Sequence, residues 1–263
     1  LDIRTVQGMA SHPHVLVRAG IEDADMLVAV TNSDEINMTA CQVAHSLFRT
    51  PTKIARVRNR SYTSKQYRER LFNDDNFPVD FIISPEQVVT DYIYRLIQQP
   101  GALQVLDYAG GLAQLVAVRV VKGGPLVGQE LRFLREHMPN VDARVAAIFR
   151  KDRPIVPEGD TVIEENDEVF FIAAKKNIRK VMGELRRLDN PYRRLIIAGG
   201  GNIGYRLAKA LESDHNLKII EYSEERCRDI SERLNSTVVL NGSATDRDLL
   251  LEENIDKTDV FLA

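Results

Sequence analysis

The run from Arg194 to Gly204 carries an aliphatic stretch into Gly199, Gly200, Gly201, Asn202, Ile203 and Gly204, and a second aliphatic stretch, Lys218 to Ile220, ends on Glu221. Strand, glycine turn, helix, strand and carboxylate, in that order, are the parts of a βαβ unit that can hold a dinucleotide pyrophosphate on backbone amides. The glycines serve different ends. Gly199 permits the tight turn, Gly201 lets the backbone approach phosphates, and Gly204 lets the helix pack closely on its strand. Glu221, at the end of the second strand, is placed to accept hydrogen bonds from an adenosine ribose, and its charge repels a 2′-phosphate, favouring NAD(H) over NADP(H). A glycine-rich turn without a ligand and an exposed strand-end glutamate are the plain alternatives.

The residues that follow this unit repeat the beginning of the chain. A shift of 234 residues sets Gly242 on Gly8 and lays the segment from Asn241 over the segment from Gln7, and the match continues through Ile255 on Ile21, Asp259 on Asp25 and Ala263 on Ala29. The first copy's glycine turn then falls before residue 1, so the sequence reads as a piece of a longer protein made of two such units in tandem.

The chain is 44% hydrophobic and 28% charged with a formal net charge of −3, and it has no apolar run near the ~18 residues needed to cross a bilayer. It reads as a soluble globular protein. Charges of both signs are spread without long like-charge blocks, which gives no reason to expect nucleic acid or an anionic membrane surface as a direct partner. Cys41 and Cys227 stand far apart in helix-like contexts, so a reducing cytoplasm fits better than a disulfide framework.

From Ile3 to Leu96 short aliphatic runs alternate with helical stretches: Thr5 and Val6, His14 to Ala19, Met26 to Thr31, Asn37 to Phe48, Lys53 to Val57 and Phe81 to Ser84, with a final helix from Pro85 to Gln98. Strands separated by helices imply a parallel sheet, and the lack of strict alternation implies strands covered on both faces. After Gly101 the pattern changes to strands at 103–106, 115–121, 144–149 and 168–173, a helix near Leu131 to His137, and turns at 153–159 and 164–167 rich in Pro, Gly, Asn and Asp. A helix from Lys176 to Leu188 leads to a boundary at Asp189 to Pro191. The expected architecture is therefore α/β: Rossmann-like, doubly wound parallel sheets in tandem, both incomplete, separated by a small α+β domain. The expected boundaries are 1–100, 101–190 and 191–263. In the 3-2-1-4-5-6 strand order, residues 192–263 supply strands 3-2-1-4, and residues 1–96 supply 4-5-6 with an orphaned strand 3, each partial sheet having an unpaired edge.

The carboxyl ends of parallel strands are where open α/β sheets take ligands. Thr31 to Asn37 follows such a strand; Ser33 and Asp34 can either contact a ligand or cap the next helix. Arg56 and Arg58 end another strand on the same rim, facing either phosphate or salt-bridge partners. The five histidines show no metal-ligand spacing, and no serine or cysteine stands in a nucleophile motif. The small domain has no converging set of acid, base and arginine. That counts against the rival reading, an NAD-dependent oxidoreductase acting on a small substrate.

With the glycine run at 199–204, the segment from Asn241 to Thr245, the segment from Leu27 to Asn37, Ala55 to Arg58, and Gly124 to Gly128 and Arg144 to Arg150 in the small domain, the chain closely resembles the regulator of potassium conductance family, and within it the peripheral NAD-binding subunits of bacterial Trk potassium uptake. The likeness runs over nearly the whole chain. It implies a non-enzymatic regulator whose nucleotide-binding domains assemble into a homo-oligomeric ring on the cytoplasmic face of an integral-membrane potassium transporter, with bound nucleotide setting the ring's shape. The implied nucleotide contacts are Gly199 to Gly204 and Glu221, with Gly242, Ser243 and Ala244, in the second unit, and Gly8, Thr31, Asn32 and Arg56 in the first. Some relatives carry Asp where Ser243 and Met9 stand, and others carry a phosphate-binding arginine in the glycine loop where Asn202 stands. The resemblance thus allows NAD(H), ATP or ADP.

Overall fold

The computed structural model describes residues 3–263, and the chain forms two compact units, one running to Val88 and the other from Val89 to the end. In the first, α1 (Pro13–Ala19) precedes β1 (Met26–Ala29), α2 (Asp34–Val43), β2 (Thr52–Arg56), α3 (Arg60–Thr63), α4 (Lys65–Leu71) and β3 (Phe81–Ile83). The three strands are parallel in the order β1-β2-β3, with Val28 opposite Ile54 and Ile54 opposite Phe81. Two consecutive right-handed crossovers that advance in one direction along a sheet place their helices on the same face. Ala29, Ala55, Val57 and Val79 accordingly bury against Met38, Ala40 and Cys41 of α2, while Leu27 and Leu71 pack at the edge of the same core. The opposite face is open: Met26 is 51%, Val28 50% and Phe81 61% exposed. Within this unit the connecting helices α2, α3 and α4 belong to crossovers on one side, so only that face of the three strands is covered by them. Thr5 and Val6 form no strand among the described residues; extended backbone becomes a strand only through a ladder partner, and no described residue pairs with them.

The second unit opens with most of α5 (Pro85–Gln98). Its small α+β portion comprises β4 (Ala102–Tyr108), β5 (Ala113–Arg119), α6 (Arg132–His137), β6 (Ala143–Arg150), β7 (Arg153–Ile155), β8 (Glu168–Ala174) and α7 (Ile178–Leu185). The strands make an antiparallel sheet in the order β4-β5-β8-β6-β7. Val105, Val116, Val118, Ile148, Val169 and Phe171 on one sheet face pack against Ile178, Val181, Met182 and Leu185 of α7. The segment expected as a turn at 153–159 begins instead with β7. The turn lies just before it, at Lys151 (φ 51°) and Asp152 (φ 62°), the paired left-handed geometry of a two-residue hairpin. Pro154 is tolerated because β7 is an edge strand whose outer side needs no N–H donor. The helix expected from Lys176 to Leu188 is shorter at both ends.

The rest is β9 (Arg194–Ala198), α8 (Asn202–Leu211), β10 (Asn216–Glu221), α9 (Glu224–Arg233), β11 (Val238–Asn241), α10 (Arg247–Glu252) and β12 (Val260–Leu262). The parallel order is β11-β10-β9-β12, the expected 3-2-1-4. Leu195, Ile197, Leu217 and Ile219 form the core with Leu207 and Leu211 of α8 and Ile230 of α9, joined by Ile97 of α5. Because the chain reverses direction after β11 to reach β12 on the far side of β9, the carboxyl ends of β9 and β12 flank the switch point of the sheet, where such folds open a crevice.

The structure also displays the repeat. A Cβ on Gly242 would lie 2.6 Å from Leu249, and one on Gly8 would lie 2.7 Å from Val15, the same pair of positions shifted by 234. Asn254 (φ 60°) and Gly20 (φ 91°), also related by that shift, are both left-handed, and each is followed by a short 3-10 turn into a strand.

Candidate functional site

The glycine loop leaves β9 at the switch point. Gly199 has φ +97°, a conformation that costs an L side chain energy, and its N–H donates to the Ile220 carbonyl at 2.8 Å. Gly204 sits against the loop it follows, where a Cβ would be 2.0 Å from the Gly199 carbonyl oxygen and 3.2 Å from Ile197. Gly200 is confined as well, since a Cβ would lie 2.5 Å from Ile230. Gly201 differs: φ is −64° and nothing lies within 4 Å of where its Cβ would be. It is the N-cap of α8, and having no side chain it offers the first-turn amides no internal cap. Helix-start N–H groups carry the positive end of the dipole and lack intrahelical partners. This combination of open space, donors and partial positive charge suits a phosphate or other anion.

Glu221 ends β10 beside the loop. Its Oε2 accepts the Gly200 N–H at 2.7 Å and its Oε1 accepts the Ser223 N–H at 2.8 Å. The Ser223 bond, then the Gly200 and Tyr222 amides and the nearby Arg226 charge, hold its carboxyl below the usual range against the opposing effect of partial burial. It is therefore ionised at neutral pH, and the Gly200 amide is already engaged. The Glu221 carbonyl accepts the Gly242 N–H at 3.0 Å and the Asn241 Nδ2 donor at 3.1 Å, bringing the ends of β10 and β11 together with the glycine loop. Ser243 is engaged with Thr245, Oγ to Oγ1 at 2.8 Å, and Ala244 is half-buried beside it.

Thr31, Asn32 and Arg56 form a second cluster within the first unit. Asn37, fully buried on α2, organises it: its Oδ1 accepts from the Thr31 N–H at 2.8 Å and Oγ1 at 2.7 Å, and its Nδ2 donates to the Arg56 carbonyl at 2.9 Å. Arg56 Nη2 donates to the Thr31 carbonyl at 2.6 Å, and Arg58 reaches the Asn32 carbonyl and Asp34. Ser33 caps α2, accepting the Ile36 N–H at 3.3 Å. Asp34 does something neither expected role described. Buried, its Oδ2 accepts the N–H groups of Arg58 and Asn59, both at 2.8 Å, tying the end of β2 to the start of α2. Gly8 packs against Val15, whose side chain a Cβ at Gly8 would meet at 2.7 Å.

Asn37 and Arg226, whose Nε donates to the Gly200 carbonyl at 2.8 Å, are the residues sequence reasoning missed. The signal for Asn37 was a polar residue at helical core spacing from Ala40 and Cys41. Arg226 had none, being one arginine among several in a charged helix. A cavity of about 430 Å³ lies elsewhere, at the amino ends of β9 to β11, lined by Arg194, Asn216, Val238 and Asn254 and partly closed by the Lys218–Glu253 ion pair at 2.7 Å. It sits at the opposite end of the sheet from the glycine loop.

Comparison with known proteins agrees with this layout. The model of the TrkA-N domain matches residues 1–85 and 195–263, and that of the TrkA-C domain matches 115–186. The chain is 65% identical over 263 residues to a Trk system potassium uptake protein TrkA of Halomonas elongata and 57% identical over 262 residues to that of Vibrio alginolyticus. Each alignment takes in all of this chain and 57% of the relative, so the chain spans little more than half the length of these proteins. Among solved structures, a GsuK RCK domain aligns with 97% of this chain and 52% of its own at a TM-score of 0.63 and 20% identity. A structure described as the GsuK channel bound to NAD aligns at 0.63 and 19% identity, over 97% of this chain and 43% of its own. At such identities these two likenesses speak for the fold. With TrkA-N sequence over both Rossmann-like portions and TrkA-C sequence between them, the chain belongs to the TrkA-N domain family.

Proposed function

We propose that this chain is the nucleotide-sensing part of a regulatory subunit of a bacterial potassium-uptake system, and that it acts by binding a nucleotide, with NAD(H) the preferred class and ATP or ADP a second candidate, rather than by catalysis. The observation that carries the reading is the open flank of Gly201 over the uncapped start of α8, framed by a Gly204 that admits no side chain. Gly201, Asn202 and Ile203 would hold the diphosphate on their amides. Glu221, ionised at the rim, would take the adenosine ribose, with Ser243 and Ala244 at the neighbouring strand end. In the first unit Thr31, Asn32 and Arg56 would meet nucleotide at the corresponding rim. The likeness to proteins named for Trk potassium uptake, and to a channel described as bound to NAD, supports the same reading.

The mechanism is linkage. A nucleotide that binds one arrangement of an oligomeric ring better than another shifts the population toward it, and the ring transmits the change to a membrane-embedded potassium transporter. A tenfold difference in affinity supplies about 1.4 kcal/mol per site, and several sites in a ring add. No helix among the described residues is long and apolar enough to cross a membrane, so in this reading the membrane-spanning part belongs to the partner. Isothermal calorimetry with NADH, NAD, ATP and ADP tests the proposal: saturable binding without turnover supports it, and absence of binding at millimolar ligand removes it. Substrate-dependent absorbance change at 340 nm with 2-hydroxy acids, amino acids or aldehydes would instead establish an oxidoreductase.

A further inference from the structure

Gly200 is held from opposite ends. Its N–H donates to Glu221 Oε2 at 2.7 Å, and its carbonyl accepts from Arg226 Nε at 2.8 Å. Arg226 rises from the first turn of α9, is steadied there by an ion pair with Asp229, and lies 5.8 Å from the centre of the Tyr205 ring on α8. One guanidinium thus links both helices of the glycine-loop unit to the loop itself. The peptide joining Gly200 to Gly201 is planar and trans. Pinning its carbonyl toward α9 turns the Gly201 N–H to the other side of the same plane, and Gly201 is the residue with open space beside it. Three consecutive glycines carry no side chains that could fix their own dihedrals, so the direction of this donor has to be imposed from outside the loop.

We infer that Arg226 is a positioning residue for diphosphate binding, one that aims the Gly201 N–H without pairing with phosphate itself. The inference rests on the nucleotide-binding reading above. Arg226 reaches the loop through a neutral carbonyl, on the side of the peptide away from the Gly201 N–H, and pairs with Asp229, which it shares with Arg233, so removing it lowers affinity with the salt dependence of binding little changed.

The test is calorimetric titration of the 263-residue chain with NADH and with ADP at several salt concentrations, comparing the native sequence with Arg226→Met, Arg226→Lys and Tyr205→Leu, each checked by circular dichroism. Arg226→Met is expected to bind both ligands about tenfold more weakly, the cost of one charge-assisted hydrogen bond, with the salt slope of the native chain. Arg226→Lys recovers part of the loss, because an ammonium can still donate to the Gly200 carbonyl. Tyr205→Leu, which removes the surface under the guanidinium and keeps its hydrogen-bond partner, gives a smaller loss and carries the test if the Met variant does not fold. Native affinity in Arg226→Met overturns the inference and leaves the nucleotide reading standing. A shallower salt slope assigns Arg226 to the phosphate directly and also overturns it. If the native chain binds neither ligand, the nucleotide reading falls and this inference with it.

Discussion

Gly204 faces the Gly199 carbonyl so closely that a Cβ on Gly204 would lie 2.0 Å from that oxygen. Backbone rather than a flexible side chain is the obstacle, so α8 can admit a methyl group here only by moving off β9. Gly204→Ala is expected to destabilise the second unit by about 3 kcal/mol, at the upper end of overpacking costs. Gly201→Ala, whose new Cβ would meet nothing, should cost only about 0.5–1 kcal/mol, the preference for Gly over Ala at an N-cap, yet weaken nucleotide binding, since the methyl occupies the space a phosphate needs. Urea unfolding and calorimetric titration of the two variants separate these effects.

The Glu221 carboxyl is held below its ordinary value of 4.5, first by the Ser223 amide and then by the Gly200 and Tyr222 amides and Arg226. A carboxylate lowered in the folded state adds stability that is present above its unfolded pKa and is lost as pH falls through the folded one. The stability difference between the native chain and Glu221→Gln is therefore expected to be constant near neutrality and to shrink as the solution is acidified below the ordinary carboxylate value. Thermal melts of both proteins across that range check it; a difference that grows on acidification contradicts the assignment.

Asn37 is completely buried, and its amide satisfies the Thr31 amide and hydroxyl and the Arg56 carbonyl. Asn37→Ala removes the partner of the part-buried Thr31 amide and Arg56 carbonyl, while the Thr31 hydroxyl keeps its bond to the Ser33 carbonyl, at a cost of about 1–3 kcal/mol for the orphaned polar atoms. Native-state hydrogen exchange should show the loss at the Thr31 amide first, with the first unit's denaturation midpoint lowered accordingly.

Burial, only partly offset by the nearby Lys53 charge, pushes the Cys41 thiol up to about 12. The thiol form is unreactive, and Cys41 is also inaccessible. Under native conditions at mildly alkaline pH, an alkylating reagent is expected to leave Cys41 unmodified, with reaction appearing only on denaturation. Peptide mass spectrometry after timed alkylation provides the measurement.

The βαβ unit around Gly199 to Glu221 was legible because its signals are local. An aliphatic run, glycines at the turn and a carboxylate at the next strand's end follow one another within a short span, and glycine requirements come from the backbone. The sheet orders β11-β10-β9-β12 and β1-β2-β3 followed from the 3-2-1-4-5-6 strand order of the doubly wound fold that this pattern announces. The region between Val57 and Asp80 was not legible: α3 and α4 lie there with only short, largely polar helical sequence to announce them. The edge strand β7 was hidden for a related reason, since Pro154 reads as a turn residue until its neighbour in the sheet is known.

The sequence alone determined the duplication, the glycine-loop unit and the two kinds of sheet, because periodicity and glycine spacing act over one or two elements and need no distant partner. Tertiary structure decided the rest. That Asp34 secures the Arg58 and Asn59 amides, that Asn37 joins two strand ends, and that Arg226 reaches across to the Gly200 carbonyl are all outcomes of packing between segments far apart in the chain. A charged or amide side chain in a helix looks the same in sequence whether it meets water or a buried carbonyl. Only the position of the neighbouring backbone tells the two apart.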